Sequence, residues 1–415
     1  MTNIDWAARA RELDDADPLH AFTERFLPAD DVVSYLDGNS LGRPLRDFPE
    51  RVAAFTAHDW GTRLIRRWDE SWMAKPYGLG DRIGAALLGA AAGQTFVGDS
   101  TTVLLYKLIR AAVDHRPERT EIVIDDDNFP TDRFVVEGIA AERGLSIVWI
   151  PTDRTIGVQR EQVEQALSER TAVVVLSHVA YRSGAIADLA GITEAAHRAG
   201  ALVLWDLCHS IGVVPVALDA CGVDLAVGCS YKYLNGGPGS PAVAYVNASL
   251  HRSLRQPIWG WMGAADVFAM KAGYEPAEDV RRFVSGTPPI LAMLAMEAML
   301  ELIEAAGLPA IRAKSQALVA FADELLHAHV VPLGAVLASP TDPRLRGSHL
   351  TVAHPRFREV TARLWERGVI PDFRAPDGIR IGLSPLSTTF AEVEVGIRAI
   401  GEELRGLLGE GGAAG

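Results

Sequence analysis

The chain predicts an α/β protein: a mostly parallel sheet covered by helices, joined to a smaller α+β domain. Three observations carry this reading. The middle of the chain alternates short β-branched runs with helical patterns, as crossover-linked parallel strands require. Those runs are apolar on both faces, as strands buried between helix layers must be. The last third abandons the alternation, placing long helices first and short strands after them. At 415 residues, 48% of them hydrophobic and 22% charged, the chain has room for one large core and a second, smaller one.

Met1–Asp17 (MTNIDWAARARELDDAD) has no apolar stretch of signal-peptide length. Gly98-Asp99-Ser100-Thr101-Thr102 opens an apolar helical run, Val103–Val113. Glu121–Asp125, Ser146–Ile150, Ala172–Leu176, Leu202–Trp205, Asp224–Val227 and Ala242–Val246 read as buried strands bounded by turn residues. Helices are expected between them at Asp132–Arg143, Glu161–Ser168 and Leu189–Ala199. Beyond these come helices at Ile290–Ala306 and Ile311–Ala328, an apolar run at Ser348–Ala353 and a helix at Arg356–Arg367. Strand-like pieces follow at Gly368–Phe373 and Ile379–Leu383, then a final helix at Phe390–Leu408 and a Gly/Ala tail, Gly409–Gly415, expected to fray. Pro288–Pro289 and Gly307 mark a boundary. The expected division is a segment 1–58 packing with the small domain, a large domain 59–306 and a small domain 307–415.

Lys and Arg number 40 against 53 Asp and Glu, a net charge of −13, which disfavours nucleic acid as a partner. No run of about 18 apolar residues is present, so no membrane helix is expected. Cys208, Cys221 and Cys229 form no C-x-x-C pair. Neither a disulfide framework nor a metal site is expected, and a reducing cytoplasm fits.

Leu202–Gly239 carries the chemistry. Its first strand ends in Asp206, and ligands of open α/β sheets bind beyond the carboxyl ends of strands. Its second leads to Ser230-Tyr231-Lys232, 26 residues on, a distance that lets Asp206 and Lys232 face one cleft. A lysine for a Schiff base and a carboxylate for a pyridine nitrogen are what pyridoxal phosphate needs. A strand-end Asp and a surface lysine would be the bland alternative. The glycine-rich NGGPG and two tyrosines around Lys232 argue against it. The free N–H groups at the helix start near Thr101 suit a phosphate; the bland alternative is a plain N-cap by Asp99 or Ser100.

LWDLCH (Leu204–His209) followed by GCSYKYLNGGPG (Gly228–Gly239) closely resembles the kynureninase family. The resemblance runs nearly end to end through YLDGNSLG (Tyr35–Gly42), GDSTTVLLYKLIRAA (Gly98–Ala112), NFPTDR (Asn128–Arg133), HVAYRSG (His178–Gly184), GWMG (Gly260–Gly263), GTPP (Gly286–Pro289) and PDFRAPDGIRIG (Pro371–Gly382). It implies fold type I of the pyridoxal-phosphate enzymes, with a sheet of the seven-stranded type. It assigns Lys232, Tyr231 and Asp206 to catalysis. It assigns the cofactor to Thr101, Thr102, Phe129, Asp132, Ser177, Asp206, His209, Tyr231 and Lys232, with Trp261 and Thr287 reaching the phosphate from a neighbouring subunit. Arg374 would take the substrate carboxylate, with Ser40, Trp68 and Gly286 about the rest of the substrate. Bland readings of these residues are an N-capping Asp132, a core Phe129 or Trp261, a structural His209 and a turn Thr287.

The implied activity is hydrolysis of the Cβ–Cγ bond of L-kynurenine, or of 3-hydroxykynurenine, to anthranilate or its 3-hydroxy form and L-alanine, in tryptophan catabolism. A homodimer with shared sites is implied as well. Glycine at 286 cannot hydrogen-bond a ring hydroxyl, which leans the substrate toward L-kynurenine. Ala264 and Ser387 stand where many relatives carry His and Tyr, which leaves open a modified kynurenine in secondary metabolism. The rivals are an aminotransferase, a cysteine desulfurase and a non-catalytic relative. The final third has no cysteine for a desulfurase, and a non-catalytic relative would often have lost Lys232.

Overall fold

The computed structural model describes residues 4–412. Twelve strands run in chain order among the described residues: β1 (Ser34–Leu36), β2 (Thr95–Gly98), β3 (Glu121–Asp125), β4 (Ser146–Ile150), β5 (Thr171–Ser177), β6 (Leu202–Asp206), β7 (Leu225–Gly228), β8 (Ala242–Val246), β9 (Val336–Leu337), β10 (His349–Ala353), β11 (Val369–Arg374) and β12 (Gly378–Gly382).

Seven of them form one sheet in the order β2-β8-β7-β6-β5-β3-β4. Neighbours from β7 to β4 are parallel. β8 runs antiparallel to both β7 and β2, so β2 points the same way as the parallel five. Side chains alternate between two cores. Val174, Leu176, Val203 and Trp205 enter one, while Val173, Val175, Leu202 and Leu204 enter the other. This is why the strands read as unbroken apolar runs. The six strands expected from the middle of the chain all form. β2 escaped notice because four residues ending in glycine carry almost no periodic signal.

Helices cover both faces, close to their expected positions: Thr101–His115, Pro130–Arg143, Arg160–Ala166 and Leu189–Arg198. The second starts two residues early because Pro130 fits the first helical turn, where its missing N–H costs nothing. The stretch from Ile290 opens as a 3-10 turn, Ile290–Met293, before the α-helix Leu294–Ala306. The last helix reaches Gly412, so the tail expected to fray from Gly409 is helical up to there; residues 413–415 lie outside the described residues.

The other five strands form a second sheet, β1-β11-β12-β10-β9, in which β1 lies parallel to β11 and the remaining pairs are antiparallel. Its core gathers Leu36, Leu350, Ile379 and Ile397 with the helices Leu308–His329, Phe357–Glu366 and Phe390–Gly412. The N-terminal segment serves both cores: Ala10 and Leu36 enter that of the small sheet, Leu19, Phe26, Leu45 and Phe55 that of the large one. Between them the chain lies directly on the loop after β7. Gly42 N–H donates to Tyr231 O at 2.8 Å. A Cβ at Gly42 would stand 2.4 Å from Lys232 O, so only glycine permits that approach.

Candidate active site

The parallel strands end along one edge, and the expected site residues gather beyond it. Strand register sets Ser177 beside Asp206, the last residues of β5 and β6. Asp206 is buried, and its Oδ1 accepts from Cys208 N–H at 2.7 Å. Ser177 Oγ stands 3.5 Å from Asp206 Oδ2 and donates to Asn128 Oδ1 at 2.9 Å. Lys232 is buried in the turn between β7 and β8, which closes on itself through Gly236 N–H to Ser230 O at 2.8 Å. Its Nζ lies 3.2 Å from His209 Nε2 and 5.9 Å from the ring centres of both Phe129 and Tyr231.

Charge is concentrated here. Burial, and then the nearby Asp206 and Asp125, push the Asp132 carboxyl well above the usual carboxylate range. Burial lifts Asp125 to about 7. Burial, followed by Lys232 and His349, drives His209 well below its ordinary value, so it is a neutral ring beside the lysine. Tyr231 is raised by burial first and then by the Cys229 thiol, which keeps its hydroxyl a donor.

Asp132 does not cap its helix. The N-cap position is Phe129, which makes no side-chain cap bond, and Asp132 sits in the first turn with Oδ2 lacking any hydrogen-bond partner. Of the two capping candidates upstream, Ser100 holds the position before Thr101 and accepts from Val103 N–H, which leaves the N–H groups of Thr101 and Thr102 unclaimed by that cap. Their helix begins just beyond β2, on the same edge as Asp206.

Arg374 ends β11, and its Nε donates to Asp372 Oδ2 at 2.7 Å. The same oxygen accepts from Arg380 Nε at 2.6 Å; Arg380 also donates to Tyr181 O at 2.6 Å and Ser40 Oγ at 2.9 Å. Sequence reasoning passed over Arg380, although an arginine inside the apolar Ile379–Ile381 was the available signal. Asn39 and His349, both fully buried, were also missed.

Other expected residues stand apart. Trp68 packs edge-on against Trp72 at 5.3 Å, on the large core. Trp261, Gly286 and Thr287 are exposed. Trp261 keeps company with Phe268 at 6.4 Å, and Ala264 bridges to Pro276 in the same segment. Ser387 is buried, with Ser384 O 3.5 Å from its hydroxyl.

Comparison with known proteins identifies the family. The chain is 39% identical over 400 residues to the kynureninase of Pseudomonas fluorescens, covering 94% of each chain. This chain belongs to the kynureninase family. A kynureninase of Burkholderia pseudomallei (strain 1106a) is 40% identical over 394 residues, covering 92% of each. The broader family Aminotransferase class-V matches residues 85–356. Among solved structures, a cysteine desulfurase of Thermococcus onnurineus has a TM-score of 0.77 at 19% identity, covering 98% of this chain and 100% of its own. That likeness shows fold type I.

The cofactor is pyridoxal phosphate, and the residues present fit it. A buried lysine faces an aromatic ring, a buried carboxylate ends the adjacent strand, and Asp132 Oδ2 and Asn128 Nδ2 are left without partners beside them. Unpaired buried polar atoms of this kind call for a polar group to meet them.

Proposed function

We propose that the protein hydrolyses the Cβ–Cγ bond of L-kynurenine, giving anthranilate and L-alanine in a step of tryptophan catabolism. The observation that carries this reading is the end-to-end likeness to kynureninases at 39–40% identity. Lys232 would hold the cofactor aldehyde and Asp206 the pyridine nitrogen, with Phe129 against the ring. Asp132, Ser177 and His209 would complete that wall. Thr101, Thr102 and Tyr231 would serve the phosphate. Bound pyridoxal phosphate supplies the electron sink for charge developing next to the amino carbon.

The chain's own groups do the remainder. Lys232 Nζ would take and return the α-proton of the bound substrate. The Tyr231 hydroxyl, held protonated by burial, donates at the ketone end. Arg374 grips the substrate carboxylate: Asp372 takes its Nε donor, which leaves the two Nη groups for a two-pronged bond. Ser40, which accepts from Arg380, would flank the aromatic end. Glycine at 286 offers no partner to a ring hydroxyl, which favours L-kynurenine over 3-hydroxykynurenine. Ala264 and Ser387 support a second reading, a modified kynurenine.

The working form is a homodimer in which Trp261 and Thr287 reach the partner's phosphate site. Support comes from their exposure, together with that of Trp259, Phe268 and Met270. A division into 1–58, 59–306 and 307–415 is part of this reading; the two separate sheets support it, while the first segment packs into the large core through Leu19, Phe26, Leu45 and Phe55 as well as into the small one. Three free cysteines favour a cytoplasmic setting. Among the described residues, no helix is long and apolar enough to cross a membrane. The test is incubation of the holoenzyme with L-kynurenine and with 3-hydroxykynurenine, following product fluorescence and alanine. Anthranilate and alanine in equal amounts are expected. Transamination without anthranilate would replace the reading with an aminotransferase.

A further inference from the structure

Four unpaired polar atoms lie together where the small sheet meets the Lys232 cluster. Both side-chain atoms of Asn39, Oδ1 and Nδ2, lack a hydrogen-bond partner, and so do both ring nitrogens of His349. Both residues are completely buried. Their neighbourhood follows from register. His349 on β10 is directly opposite Gly382 on β12, so side chains at the two positions leave the same face of the sheet. Gly382 has no side chain, and Asn39 fills the space: a Cβ at 382 would stand 1.8 Å from Asn39 Oδ1. A second glycine opens the other side. Gly184, at φ +75, would carry a Cβ 3.4 Å from His349 Nε2. The backbone at Ala180 and Tyr181 comes near the ring without meeting it in hydrogen-bond geometry.

The cluster adjoins the reacting groups. The His349 ring centre is 5.3 Å from that of His209, whose Nε2 is 3.2 Å from Lys232 Nζ. Burial, then Arg380 and Lys232, hold His349 well below its ordinary value, so it presents one N–H donor and one bare nitrogen acceptor. Asn39 adds a donor pair and an acceptor. A buried water needs two to four polar partners of both kinds, and this set supplies them.

We propose that Asn39 and His349 hold the water that the reaction consumes. The inference rests on the hydrolytic reading above. Two carbon–carbon bonds, about 2.5 Å end to end, separate the ketone carbon from the α-carbon that Lys232 serves, and the His349 ring lies next to His209, which itself adjoins Lys232 Nζ. Addition forms one C–O bond, moves the C=O π pair onto the ketone oxygen and delivers one proton there, giving the hydrate. Cleavage then sends the Cβ–Cγ pair to Cβ, which gains a proton, and the aromatic acid leaves. No oxidant or reductant enters. Asn39 and His349 are positioning residues in this scheme.

The test pairs a structure with a kinetic split, using the holoenzyme. A high-resolution crystal structure should show a water bonded to Asn39 and His349; an empty gap or a direct Asn39–His349 bond would overturn the proposal. His349→Phe should lower anthranilate formation about 100-fold while exchange of the L-alanine α-proton with deuterated solvent changes by less than about threefold. His349→Gln, which keeps a donor and an acceptor, should recover roughly tenfold of that loss. Equal loss of both reactions in both variants, or no loss in either, would overturn the proposal. A wild-type enzyme inert toward L-kynurenine would sink the hydrolytic reading itself, and this inference with it, whereas an active wild type with an unaffected His349→Phe sinks only the inference.

Discussion

Two regions of the molecule carry expected site residues, and they differ in how complete they are. At the carboxyl edge of the large sheet, Asp206, Lys232, His209 and Asp132 are all buried, and the chain itself supplies the walls. In the segment around residues 255–287, Trp259, Trp261, Phe268 and Met270 stand in solvent, and so do Gly286 and Thr287. The first region is assembled by strand register within one chain. The second presents large apolar side chains to water, covered only in part by one another and by Tyr274 among the described residues. A folded protein seldom leaves a group of that size bare unless something docks on it. The contrast teaches that packing within one chain brings Lys232 and Asp206 together, whereas a role for Trp261 and Thr287 rests on the proposed second subunit.

Lys232→Ala cuts deepest into the closed region. Turnover should fall on the order of 10⁴-fold or more, since an acid–base group and the cofactor anchor go together. The visible absorbance band of the lysine-linked cofactor should vanish, and retention of both band and turnover would remove Lys232 from the site. Arg374→Ala comes next. Loss of a charge-assisted pair should raise KM for L-kynurenine about 10–100-fold, with a smaller change in kcat. A pure kcat effect would move the carboxylate contact elsewhere.

The open region is tested by Trp261→Ala. Cofactor affinity should weaken roughly tenfold, as expected for an aromatic anchor at an interface, and sedimentation should show more monomer. An unchanged dimer with unchanged affinity would make the segment an ordinary surface. The smallest effect concerns Asp37, at the rim of the closed region. Burial lifts its carboxyl to about 6 from an ordinary 3.8. A raised carboxyl favours the folded state while protonated, so its stabilising contribution is full below about pH 4 and is lost as pH rises through about 6. Asp37→Asn should remove that slope and raise stability near pH 7 by about 1–2 kcal/mol, read from denaturant midpoints across pH. A parallel pH profile for both proteins would show that Asp37 ionises freely.

Legibility followed local signal. β3 to β8 were readable because each is an apolar run bounded by turn residues, and Asp206 and Lys232 because each lies just past such a run. β1 and β9, with three and two residues, have no pattern of their own; pairing with β11 and β10 makes them strands. The sequence by itself determined the alternating sheet, the strand-end carboxylate, the lysine turn and the likeness to kynureninases, because each depends on residues close together in the chain. Only the tertiary structure decided that Asn39 fills the space left by Gly382, that His349 reaches toward His209, and that Arg380 ties Ser40 to Asp372. Those contacts join residues separated by up to 343 positions, as between Asn39 and Gly382. Strand register and close packing set them, and neither is written in local composition.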